Sequence, residues 1–130
     1  MEKKVLLREI LENRLIEFAL NIKAVLQYMP NDEWTRNPKG QLSRSSTSPA
    51  FNYGEAQSAE SQNDFIHKMS ICLKELRETF VGLKFIKNGN FGVSADLLNS
   101  LIRENTELIS IFTKSVQTAK SNANRKRLNK

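Results

Sequence analysis

The sequence predicts an all-α domain, an antiparallel up-down bundle of four helices. Three observations lead there. Apolar residues recur at steps of three or four through three long stretches. Five Gly and three Pro in 130 residues are too few turn formers for a many-stranded sandwich or barrel. The stretches between the periodic segments are short, which favours antiparallel neighbours. With 39% hydrophobic and 26% charged residues, the chain reads as neither a membrane protein nor a disordered one. Its length suits one domain, placed at residues 1–120, followed by a flexible basic tail at 121–130.

The first helix is expected over 5–29. Leu7, Leu11, Leu15, Phe18, Ile22, Val25 and Met29 form one stripe, widened by Leu6, Ile10 and Leu26. Pro30 ends it, and residues 30–40, with Pro38, Gly40 and several Asn and Asp, read as a loop. Trp34 in that loop is expected to cover one end of the domain. The second helix is expected over 41–60, although its Ser/Thr run has poor helix propensity and Pro49 removes a backbone donor. Leu42, Ser45, Ser46, Pro49, Asn52, Tyr53, Ala56 and Ala59 nevertheless keep helical spacing. The third helix is expected over 62–87, with Ser61 and Asp64 as its cap and Phe65, Met69, Cys72, Leu76 and Leu83 on one face. Asn88, Gly89 and Asn90 stop it. The fourth is expected over 94–120, capped by Ser94. Its stripe is Leu98, Leu101, Ile102, Leu108, Ile109, Phe112 and Val116.

Composition removes most enzyme chemistry. One Cys and one His exclude a disulfide within the chain, a multi-Cys zinc site and any pair of histidines. Asp64-x-x-His67 is a lone pattern where a di-iron bundle needs two Glu-x-x-His motifs. Cys72 sits on an apolar stripe, where a thiol behaves as a small hydrophobe. No catalytic group, metal or cofactor is therefore expected. No stretch approaches the ~18 apolar residues of a membrane span, and the charged N-terminus lacks a signal peptide's apolar run. A cytoplasmic protein is expected.

The net charge of +6 is confined to one end. Residues 108–130 hold Lys114, Lys120, Arg125, Lys126, Arg127 and Lys130 and no acid, while the remaining fourteen basic residues balance all fourteen acidic ones. Clustered cations attract polyanions such as nucleic acid. They also complement a helix C-terminus and keep a chain soluble. Arg36, Lys39 and Arg44 are candidates for a second basic patch. Arg44, Ser48, Asn52 and Glu55 share one side of the second helix, with His67, Lys74, Glu75 and Glu78 as partners on the third. A structural polar network is the favoured reading of that row over a ligand site.

The stretch from Gly40 to Ile86 carries a resemblance. Gln41-Leu42-x-Arg44-Ser45, then Asn52-Tyr53-x-Glu55-Ala56-x-x-Ala59-Glu60-Ser61, then Asp64-Phe65-Ile66-His67-Lys68 and Leu73-Lys74-Glu75-x-x-Glu78-Thr79 follow one another without a break in spacing. This pattern resembles the bacterial four-helix-bundle family named for the 23S rRNA intervening-sequence protein, also called the S23 ribosomal protein family. The chain departs from it at Pro49-Ala50-Phe51, where the family often has a small step, and at Gly82, where it often has a bulky aromatic. The resemblance implies a ring-like homopentamer. It also implies kinship with the accessory variability determinant of diversity-generating retroelements, which binds a reverse transcriptase and nucleic acid.

The expected function is a non-enzymatic, oligomeric binding protein that contacts RNA or DNA through phosphates near the C-terminus. The alternative is a scaffold for a protein partner such as a reverse transcriptase, with the basic tail only solubilising.

Overall fold

The computed structural model describes residues 2–129, the side chains of Lys4 and Val5 apart. Four helices follow in chain order: α1 Glu2–Tyr28, α2 Arg36–Gln57, α3 Gln62–Gly89 and α4 Ala95–Leu128. Among the described residues there is no strand.

Capping chemistry fixes the ends. Ser61 Oγ accepts from Asp64 N–H at 3.0 Å, and Asp64 Oδ2 accepts from Glu60 N–H at 3.3 Å. Ser94 Oγ accepts from Leu97 N–H at 3.4 Å. These are the predicted caps, each satisfying a donor that helix geometry leaves free. Asn90 closes α3 in the left-handed region at φ 55, and Gly92 continues the turn at φ 84.

The boundaries of α2 and α4 differ most from expectation. α2 begins at Arg36, not 41, and ends at Gln57. Its start is set by a reciprocal pair: Asp32 Oδ1 accepts from Thr35 N–H at 3.0 Å, and Thr35 Oγ1 accepts from Asp32 N–H at 3.0 Å. The pair closes the turn that leads into α2, whose own N-cap, Thr35, makes no side-chain capping bond. Pro38 then falls in the first turn, where its missing N–H has no helical acceptor. α4 runs to Leu128, so most of the expected flexible tail is helix. Ala123, Arg125, Lys126 and Leu128 are good helix formers, and cations suit a helix C-terminus.

α2 lies against α1 and α3, and α4 against α3; the α1–α4 seam is the thinnest. The register is antiparallel. Ser45 meets Thr79 while Pro49 meets Cys72. Gln62 meets Ala119 while Asn105 meets Leu76. Phe18, Ile22, Val25, Leu42, Leu76, Leu83, Leu108 and Phe112 fill the core. Tyr53 sets its ring edge against Phe112 at 5.7 Å. α1 contributes only from Leu11 onward, because Leu6, Leu7 and Ile10 are exposed. Trp34 is 68% exposed and does not cover the domain.

α2 joins the core by close approach rather than by apolar bulk. Its buried face is Leu42, Ser45, Ser46, Pro49, Tyr53 and Ala56. A Cβ at Gly82 would lie 2.5 Å from Leu42 Cδ2, so the absent side chain is what lets Leu42 reach α3. Helix α2 continues through Pro49, whose carbonyl lies 3.4 Å from Cys72 Sγ.

Candidate nucleic-acid interface

The basic end is a projecting helix. Gln62, the first residue of α3, reaches the carbonyl of Ala119 at 3.4 Å, so α4 beyond that point has left its neighbour behind. At about 1.5 Å per residue the segment from Lys120 to Leu128 extends roughly 12 Å past the start of α3. Lys114, Lys120, Arg125, Lys126 and Arg127 are all exposed. Arg125 and Arg127 each hydrogen-bond an Asn three residues earlier, Asn122 and Asn124. No acidic residue follows Glu107. Lys130 lies outside the described residues.

The proposed patch of Arg36, Lys39 and Arg44 is split by the fold. Lys39 Nζ donates to Met29 O at 2.8 Å and Asn31 Oδ1 at 2.7 Å. It caps the end of α1, whose last turn has no basic residue of its own. Arg44 Nη2 lies 3.7 Å from Glu78 Oε2. Arg36 and Arg44 share a shallow depression with Glu33, which offsets part of their charge. Lys39 therefore drops out of the patch, and the remaining pair is weaker than the C-terminal cluster.

The predicted polar network is partly assembled. Asn52 Nδ2 reaches Ser48 Oγ at 2.9 Å. Glu55 pairs with Lys68 at 3.5 Å and Arg44 with Glu78, exposed contacts of little energetic weight. Its centre is a pair outside the predicted row: Thr79 Oγ1 lies 2.9 Å from Ser45 Oγ and 3.0 Å from Glu75 O, with both residues buried. The signal was present, since Ser45 shares the spacing of Leu42 and Pro49 and Thr79 that of Leu76 and Leu83. Glu75 faces this seam with Oε2 enclosed and unpartnered. Burial, and then Glu78, push its carboxyl above the usual range. His67 and Lys74 are exposed and stand apart from the network.

Residues 10–114 match the family model described as 23S rRNA-intervening sequence protein. The chain belongs to that family. A crystal structure of a protein of unknown function from the S23 ribosomal protein family of Bacteroides thetaiotaomicron is similar at 27% identity and TM-score 0.74, over 82% of this chain and 97% of that one. No curated protein matches the chain. The motif residues of this family member fall on α2, the turn after it and the first two-thirds of α3, so the resemblance follows the α2–α3 hairpin. The family match stops at Lys114, before Lys120, Arg125, Lys126 and Arg127. Family membership therefore accounts for the bundle and is silent on the projecting end.

Among the described residues, no three His, Cys, Asp or Glu side chains gather to hold a metal ion. Cys72 is fully buried and its thiol is pushed up to about 12 by burial, so it is protonated at neutral pH and a poor nucleophile. No helix among the described residues is long and apolar enough to cross a membrane.

Proposed function

We propose that the chain is a non-enzymatic, oligomeric protein that contacts RNA or DNA through the phosphate backbone. The carrying observation is the projecting end of α4, where exposed Lys and Arg follow one another with no acidic residue among them. Such a rod of charge gains affinity by releasing counterions and reads little sequence. The exposed aromatics Tyr28, Trp34, Phe51 and Phe85 lie at the end of α1, in the turn before α2, on α2 and on α3, so no stacking platform accompanies the cations of α4. Repetition of the end in a ring of copies, a homopentamer in this reading, would multiply weak contacts into avidity. Exposed Val81 and Phe85, one turn apart on α3, are the apolar surface that self-association in this reading would cover.

The test is a titration of RNA and of duplex DNA against the full chain and a chain ending at Lys120, across salt. Loss of Arg125, Lys126, Arg127 and Lys130 should lower the magnitude of the log–log salt slope on duplex by ~0.9 per engaged cation. Equal slopes and affinities would remove the tail from the mechanism. Light scattering tests the ring, which predicts about five times the chain mass.

One observation favours a protein partner as the second reading. A groove of about 550 Å³ between the start of α2 and the end of α3 is walled by Trp34, Val81 and Phe85 and edged by Glu33 and Glu78. A scaffold or accessory protein, for example one serving a reverse transcriptase, would use such a groove. A pull-down that recovers one protein, with no measurable nucleic-acid binding, would favour it.

A further inference from the structure

We infer that the outer face of α3, together with Lys120 of α4, is a second phosphate-contacting surface that continues the basic end of α4 along the bundle; this rests on the nucleic-acid reading above. Residues 1–107 have no net charge, yet folding separates their signs. On α3, Asp64 is tied into the helix cap. Glu78 faces Arg44 of α2, and Glu75 turns an enclosed oxygen toward the α2 seam. Lys68 is paired with Glu55. Lys74 and Arg77 are left exposed, and no carboxylate among the described residues forms an ion pair with either.

Lys74 and Arg77 are three residues apart and so are neighbours on one helix face. With Lys120 they border one long, shallow and open groove of about 600 Å³, lined also by Ser70, Leu73 and Val116; by the register of the two helices Lys120 stands at its far end, roughly 20 Å along the axis from Lys74. Glu78 reaches the same groove from the side held by Arg44. Lys120 and Arg127 are seven residues apart and share a face of α4. The cations Arg77, Lys74, Lys120 and Arg127 thus form a path from the middle of α3 to the projecting tip. Its openness suits a strand laid along the surface, and its mix of Lys, Arg and hydroxyl donors suits phosphate oxygens. The face also lies beyond reach of sequence arithmetic, because α3 reads as a mixture of signs until the fold ties Asp64 into its cap and pairs Glu78 with Arg44 of α2.

The experiment is fluorescence anisotropy with a short labelled single-stranded RNA and a duplex DNA, between roughly 50 and 200 mM salt. Three full-length proteins are compared: the parent, K74Q/R77Q, and R8Q/K23Q, which removes the same charge from exposed positions of α1. Circular dichroism checks that all three fold. K74Q/R77Q should bind about tenfold more weakly and lose ~1.8 from the duplex slope, while R8Q/K23Q stays within about twofold of the parent. Parental affinity and slope for K74Q/R77Q, alongside weakened binding by the chain ending at Lys120, would overturn this surface and leave the function standing. Equal weakening by R8Q/K23Q would also overturn it, since only net charge would then matter. Displacement of the RNA by polyglutamate at matched charge would reassign the face to an acidic protein. A parent that binds neither probe would sink the nucleic-acid reading and this surface together.

Discussion

Helix α2, poor in large apolar side chains, and the last turns of α4, rich in charge, are treated by the fold in opposite ways. α2 is drawn into the bundle, with Ser45 and Ser46 as buried as Leu42. The end of α4 stands in solvent with its side chains exposed. Neither stretch has the apolar bulk of a core helix, so apolar bulk does not decide burial. Side-chain size and hydrogen-bond supply do. Ser, Ala and Gly let backbones approach, and the Ser45 hydroxyl finds Thr79 inside. Lys and Arg are long, and their charge is costly to desolvate without a partner. One kind of polarity therefore builds structure, and the other is left free to meet a ligand.

The contrast can be broken most forcefully at Gly82. Gly82→Phe should destabilise the bundle by about 3 kcal/mol, read as a fall in denaturant midpoint, because Leu42 is buried and has nowhere to go. The gain in helix propensity on replacing Gly, at most about 1 kcal/mol, does not offset this. Adding Leu42→Ala should return part of the loss. If Gly82→Phe alone is neutral, the close approach of α2 and α3 is wrong.

A smaller effect is expected at the buried hydroxyl pair. Thr79→Val leaves Ser45 without its partner and should cost about 1–2 kcal/mol. The double change with Ser45→Ala should recover some of it, since two apolar groups leave nothing unsatisfied. Recovery beyond what additivity allows is the readout.

Glu75 should respond more gently and with a defined sign. Its carboxyl titrates above the usual range in the folded chain, so it favours folding below the ordinary glutamate pKa and loses that contribution as pH rises through the raised value. Glu75→Gln should therefore raise Tm by ~2 °C at pH 8 and leave it unchanged near pH 4. A rise of equal size at both pH values would refute the burial argument. The smallest change belongs to the other region: ending the chain at Lys120 should move Tm by less than about 1 °C, because the segment removed packs on little.

Much of the bundle was legible from residue spacing. The stripes Leu15 to Met29, Met69 to Leu83 and Leu98 to Val116 are buried as their periods require. α2 was legible only through the spacing of its small residues, against its propensity. Its start was not, because the turn leading into it is closed by side-chain bonds between Asp32 and Thr35 that leave no periodic signal. The role of Lys39 was hidden for another reason: it caps a different helix, and its Met29 contact appears only when α1 and α2 are folded together. Trp34 misled because an aromatic in a loop has no period to say which way it faces. Leu6, Leu7 and Ile10 keep the stripe's spacing, yet α1 makes no core contact there. The C-terminal cations were legible from charge alone, whereas Lys74 and Arg77 were masked by acids that the fold turns aside.

Hydrogen exchange with and without a bound single-stranded RNA tests the contrast between α2 and α4 in one measurement. The account predicts that amides of Leu42–Ala56 are strongly protected in the free protein and unchanged by RNA, while protection rises on binding across Lys114–Leu128. Fast exchange in α2, or RNA-induced protection centred on α2 with none on α4, would contradict it.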